Sequence, residues 1–131
     1  MNAEAKIIYP DLSYKVVGAC FAVHNELGRY CNEKQYADCF EGYLKRFGII
    51  YEREKVLPRG FESEEPGRNK ADFLIENKIV LELKAKRMLN REDYYQVRRY
   101  LQAMNKKLGI LVNFRDKYLH PRRILNSSTE E

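Results

Sequence analysis

Between residues 13 and 27, apolar side chains recur at Val16, Cys20, Val23 and Leu27, with Val17 and His24 beside them. Steps of three and four residues put these positions on one stripe of a helix. Asp11 or Ser13 can cap its start, and Gly28 is placed to end it. A second helix can begin at an Asn32 cap, with Tyr36, Cys39, Phe40, Tyr43, Leu44 and Phe47 on one side and Gly48 as its stop. The period then changes. Residues 49–57 read as a twisted strand, and residues 58–69, with Pro, Gly and polar groups in quick succession, as a loop. Residues 71–75 and 79–86 read as a hairpin closed by Glu76-Asn77-Lys78, where Asn tolerates a positive φ. Helical spacing returns over 90–105 through Tyr94, Val97, Leu101 and Met104, and the apolar run 108–114 suits a buried strand. The pattern predicts an α/β fold in the order α-α-β-β-β-α-β, with a central mixed four-stranded sheet flanked by helices. It also predicts one domain over residues 1–131, with a core of about 12–115 and an irregular, partly flexible tail over 116–131.

The length of 131 residues fits a single domain, and 44% hydrophobic residues are too many for a disordered chain. No run approaches the roughly 18 apolar residues of a membrane span. The first ten residues carry neither the apolar core nor the cleavage site of a signal peptide, so a cytoplasmic location is expected. Cys20, Cys31 and Cys39 are odd in number and lack a CxxC spacing, which argues against a disulfide framework or a zinc site and for small core hydrophobes. Charge is unevenly spread. Residues 1–77 hold 11 Lys/Arg and 13 Asp/Glu, whereas residues 78–123 hold 13 Lys/Arg against Glu82, Glu92, Asp93 and Asp116. A basic second half suits a polyanionic partner, and equally a solvated surface.

Candidate chemistry centres on residues 78–86. Alternation puts Ile79, Leu81, Leu83 and Ala85 on one face and Glu82, Lys84 and Lys86 on the other. Asp72, on the preceding strand, is brought beside Glu82 by the hairpin. Two such carboxylates repel unless a cation lies between them. Together with a backbone carbonyl they suit a hard divalent ion such as Mg²⁺. Lys84 is placed to hold a water or to steady charge on a phosphate. An ordinary cross-strand ion pair on a solvated face has the same local pattern.

Asp72…Glu82-Leu83-Lys84 resembles the active-site signature of the PD-(D/E)XK nuclease superfamily, and Gln96-Val-Arg-Arg-Tyr100 is similar to the Q-x-x-x-Y element of its RecB-like branch. His24-Asn-Glu-Leu27-Gly28 followed by Glu33-Lys-Gln-Tyr36 resembles the N-terminal hallmark of the small GxxExxY family within it. The likeness runs in order from about residue 16 to residue 114. Tyr30 stands where the namesake motif has its first glycine, so the turn between the first two helices is expected to differ. Ala71 stands where the superfamily's Pro precedes the Asp. The segment between Leu57 and Lys70 is short and charged for the family, which leaves substrate contacts there open.

The resemblance implies a restriction-endonuclease-like core and a Mg²⁺-dependent (or Mn²⁺-dependent) nuclease acting on DNA or RNA. Asp72, Glu82, the Leu83 carbonyl and Glu33 would be metal ligands, Lys84 would orient water, and Gln96 and Tyr100 would contact that lysine or a substrate phosphate. Lys86, Arg87, Arg91, Arg98 and Arg99 are the candidates for nucleic-acid contacts. Several of these residues have a plainer reading. His24 beside an apolar stripe suits a hydrogen-bonded position between elements, and Tyr36 suits packing. Glu33 lies in a first turn, where the helix dipole favours an acid in any case. Arg98 and Arg99 fit a solvated face as well as a phosphate, and Tyr94 and Tyr95 fit packing better than base stacking. The alternative function is a non-catalytic nucleic-acid-binding or protein-interaction module that kept the fold, and the small size suits action as a homodimer or with a partner protein.

Overall fold

A computed structural model describes residues 7–126 of the chain. Helix α1, Pro10–Leu27, starts one residue after Tyr9, which adopts a left-handed conformation and offers no side-chain cap. The expected Asp11 or Ser13 cap is therefore corrected: Pro10 occupies the first turn, where its fixed φ suits a helix and its missing N–H is no loss. Asp11 lies inside that turn. The buried stripe of α1 is Ser13, Val16, Ala19, Cys20 and Val23. Gly28, at φ 76°, ends the helix by donating its amide to the His24 carbonyl at 2.9 Å. Helix α2, Glu33–Arg46, opens on a reciprocal cap in which Asn32 and Gln35 each accept the other's amide at 2.8 Å. It buries Tyr36, Phe40 and Leu44.

Strands β1 (Tyr51–Val56), β2 (Lys70–Ile75) and β3 (Ile79–Lys84) form an antiparallel meander. The β2–β3 turn has positive φ at both Glu76 and Asn77, and the Lys78 amide donates to the Ile75 carbonyl at 2.9 Å. Helix α3, Arg91–Met104, crosses over to β4 (Leu108–Asn113), which lies parallel to β3. Every residue of β4 is buried, because helices cover both sides of the sheet. Val16, Val23, Phe40, Leu81 and Ile110 belong to the core under α1 and α2, while Leu74, Val80, Val97, Leu101 and Leu111 form the core under α3. At Gly109 the sheet touches α3 so closely that a Cβ would stand 2.6 Å from Val97 Cγ1.

The sheet has five strands, in the order β1-β2-β3-β4-β5, where four were expected. The fifth, β5 (Arg122–Leu125), lies in the segment read as an irregular tail. Its four residues are too few and too charged to show a period. The free edge of β4 nonetheless offers a row of backbone donors and acceptors, and β5 pairs with it from Leu108↔Leu125 to Leu111↔Arg122 while Ile124 packs under α3. The expected flexibility of the tail falls in part on residues 127–131, which lie outside the described residues. Strand β3 ends at Lys84 and not at Lys86. Beyond it the Asn113 side chain takes over the ladder, accepting the Lys86 amide at 3.0 Å and donating to the Lys86 carbonyl at 2.8 Å. Among the described residues no helix is long and apolar enough to cross a membrane.

Candidate active site

The β2–β3 ladder pairs Ile75 with Ile79, Leu74 with Val80 and Phe73 with Leu81, and then side chains replace it. The Asp72 amide donates to Glu82 Oε2 at 2.7 Å, and the Leu83 amide donates to Asp72 Oδ2 at 2.8 Å. The two carboxylates are thus built into the backbone bonding of adjacent strands, which fixes their orientation. Glu82 is only 3% exposed. Every fully buried side-chain oxygen or nitrogen among the described residues has a hydrogen-bond partner. Glu82 Oε1 and Asp72 Oδ1 take no hydrogen bond from any of the described residues, and neither is a fully buried atom without a partner, so both are open to solvent. Each carboxylate uses one oxygen to hold itself in place and keeps the other available.

Burial pushes the Glu82 carboxyl up to about 8, and the neighbouring Asp72 charge adds to this. Burial also raises Asp72, aided by the Glu33 charge and opposed by the Leu83 amide and Lys84. At neutral pH the pair favours holding a proton, which is the electrostatic mark of a site that a cation would stabilise. Its donors are hard oxygens: Asp72 Oδ1, Glu82 Oε1 and the Leu83 carbonyl between Glu82 and Lys84. This set fits a divalent cation such as Mg²⁺ or Mn²⁺. Among the described residues no three His, Cys, Asp or Glu side chains are grouped to hold a metal by themselves, so a cation here would keep waters in its shell.

Lys84 follows at the end of β3, on the α3 side. Its ammonium donates to Gln96 Oε1 at 3.0 Å and lies 4.0 Å from Asp93. One turn along α3, Tyr100 is buried, and its hydroxyl is raised by that burial and by the Glu82 charge. Gln96 thus touches Lys84, and Tyr100 lies within the electrostatic reach of Glu82 and Asp72 from the same face of α3. Glu33, in the first turn of α2, accepts the Ala85 amide at 3.2 Å. It lines a cleft of about 180 Å³ with Asp72, Leu83, Glu54 and Arg53.

The remaining candidates lie elsewhere. His24 Nε2 is 2.9 Å from the Asp116 carbonyl, and the Tyr36 hydroxyl donates to the Gly28 carbonyl at 2.7 Å while its ring stacks on Phe114. Each side chain bridges two parts of the chain through a backbone carbonyl. Lys86, expected on the strand face of Glu82 and Lys84 and as a nucleic-acid contact, lies beyond the end of β3, and its ammonium is held by both Asp93 oxygens, at 3.1 and 2.9 Å. Arg87, Arg91, Arg98 and Arg99 are exposed, and Arg99 lines a second cleft of about 430 Å³ with Phe61 and Tyr100.

Three residues escaped the sequence. Asp93 closes the α3 cap with Asn90 and, only 6% exposed, gathers the ammonium groups of Lys84 and Lys86. Its signal was present as an Asn-x-x-Asp cap. Asn113 closes the strand end, and no local signal marks it. Glu54 takes a left-handed φ of 53° within β1, and its charge reaches Asp72. No pattern predicts a left-handed Glu inside a strand.

A mixed sheet between two helical layers, with a carboxylate pair and a lysine at the end of a central hairpin, defines a nuclease-type α/β domain. The sequence model of the PD-(D/E)XK nuclease superfamily matches residues 10–124, and the chain belongs to that superfamily. Its members are generally nucleases that use divalent metals. No curated protein and no solved structure matches the chain.

Proposed function

We propose that the protein is a metal-dependent nuclease that hydrolyses phosphodiester bonds of DNA or RNA, with Mg²⁺ as its cofactor and Mn²⁺ as a substitute. The observation that carries this reading is the carboxylate pair itself. Asp72 and Glu82 each keep one oxygen without a donor among the described residues, beside an ammonium group held by Gln96. A purely structural ion pair has no use for a buried acid beside a half-buried one, since their charged forms repel. A bound divalent ion would polarise the phosphoryl group and lower the pKa of its water. Asp72, Glu82 and the Leu83 carbonyl would hold it, with Glu33 acting directly or through water. Lys84 would orient the attacking water or steady the phosphate charge, and Gln96 would aim Lys84. Tyr100 would donate to a substrate oxygen.

Within the superfamily we assign the chain to the GxxExxY group of the RecB-like branch. The Glu33–Tyr36 and Gln96–Tyr100 pairs support this. We take it to be one domain that works in the cytoplasm, alone, as a homodimer or with a partner protein. Arg87, Arg91, Arg98 and Arg99 are exposed and free to meet nucleic acid; Lys86 would do so only by leaving Asp93.

Cleavage of single- and double-stranded DNA and RNA in Mg²⁺ or Mn²⁺ tests the proposal. The wild type should cut at least one substrate, and Lys84→Ala should lower the rate by about 10²–10³ while nucleic-acid and metal binding persist. Equal cleavage by the two proteins would remove Lys84 from the mechanism. The other reading is a binding module that keeps the fold without catalysis, and the exposed arginines of α3 suit it as well. Binding without cleavage of any substrate would establish it.

A further inference from the structure

Two arginines cross-link the loops that follow α1 and β4. Arg29 Nε donates to the Arg115 carbonyl at 2.9 Å, and Arg115 Nε donates to the Arg29 carbonyl at 2.6 Å. Arg115 Nη2 also donates to the Cys31 carbonyl at 3.3 Å. Among the described residues neither guanidinium meets a carboxylate. Both terminal nitrogens of Arg29 and Nη1 of Arg115 have no protein acceptor there. Two positive charges are thus held in place by backbone carbonyls and left without a counter-charge, with N–H groups to spare.

Tyr30 lies beside both, its ring centroid 5.2 Å from the Arg29 guanidinium carbon and 5.8 Å from that of Arg115. The residue is 77% exposed, so the arginines leave most of it open. Further along the second loop Tyr118 is 70% exposed, with the Lys117 ammonium 5.4 Å from its ring. The chain joins this surface to the candidate active site at two points. Tyr30 is three residues before Glu33, which holds the Ala85 amide, and Arg115 follows Phe114, whose amide donates to the Lys84 carbonyl at 2.8 Å.

We infer that this rim is a subsite for single-stranded nucleic acid, in which an unstacked base lies on Tyr30 and flanking phosphates take the free N–H groups of Arg29 and Arg115. The inference rests on the nuclease reading for its substrate class. An exposed aromatic ring flanked by unpaired guanidiniums offers an apolar face and anion donors together. Phosphates on any nucleic acid satisfy the arginines. A base on the ring requires one that is not already stacked inside a duplex.

The test is fluorescence anisotropy in EDTA with a short labelled DNA strand of mixed sequence, the RNA of the same sequence and the blunt DNA duplex, alongside cleavage of each in Mg²⁺. The wild type should bind at least one single strand more tightly than the duplex. Tyr30→Ala should weaken that binding about fivefold or more and leave duplex binding nearly unchanged, while Tyr30→Phe should retain it. Arg29→Gln should weaken binding and reduce the salt slope by about one. Equal wild-type affinity for strands and duplex, or Tyr30→Ala binding single strands like the wild type, would overturn the subsite even if cleavage is seen. Tyr30-dependent single-strand binding with no cleavage of any substrate would sustain the subsite and overturn the nuclease reading.

Discussion

Asp93 binds the Lys86 ammonium with both carboxylate oxygens, at 3.1 and 2.9 Å, from the first turn of α3. The same carboxylate accepts the Asn90 amide at 2.8 Å and stands 4.0 Å from the Lys84 ammonium. One buried acid therefore starts a helix, closes the segment after β3 and sets the charge around the lysine at the candidate active site.

Asp93→Asn keeps the shape and the oxygen of the cap but removes the charge. Stability should fall by about 1.5–3 kcal/mol, the range for a hydrogen bond to a charged group. Urea unfolding measures this. If Asp93 also fixes the position of Lys84, nuclease activity should fall more than nucleic-acid affinity does.

The raised carboxyls give the metal-free protein an unusual pH dependence. An acid whose pKa rises on folding binds its proton more tightly in the folded state, so its contribution is most favourable below the unfolded value and is lost as pH rises through the folded one. For Glu82 that window runs from 4.5 to about 8. Over pH 5 to 8, unfolding free energy should decline in EDTA, and Glu82→Gln should flatten the decline. Saturating Mg²⁺ should offset it by favouring the ionised pair. A rise in stability across this range that Glu82→Gln leaves unchanged would mean that other groups control the titration.

Gly109 lies where α3 meets β4. Gly109→Ala places a methyl 2.6 Å from Val97 Cγ1 and 3.4 Å from Leu101 Cδ1, so helix or strand must shift. Overpacking of this kind should cost about 1–3 kcal/mol, read as a lower urea midpoint with an unchanged slope.

The Tyr36 hydroxyl donates to the Gly28 carbonyl at 2.7 Å and accepts the Cys31 amide at 3.2 Å, which ties down the loop carrying Arg29 and Tyr30. Tyr36→Phe keeps the ring stacked on Phe114 and removes both bonds. A loss of about 1–3 kcal/mol is expected, since two backbone groups lose their partner. Hydrogen exchange at Cys31 should rise more than exchange in β4.

Local periodicity was enough to place three helices, four of the strands and the β2–β3 turn, because each follows from side chains a few residues apart. The same alternation put Asp72, Glu82 and Lys84 within reach of one another, since a short hairpin leaves little choice of register. What it could not supply was anything set by partners distant in the chain. The pairing of β5 depends on the free edge of β4. The end of β3 depends on Asn113, 27 residues beyond Lys86. The occupation of Lys86 depends on how α3 docks, and the cross-link between Arg29 and Arg115 spans 86 residues. The side-chain types and their order determined the class of chemistry. Only the tertiary structure decided which charges are neutralised and which stay open, because that depends on which side chains packing brings within hydrogen-bond distance.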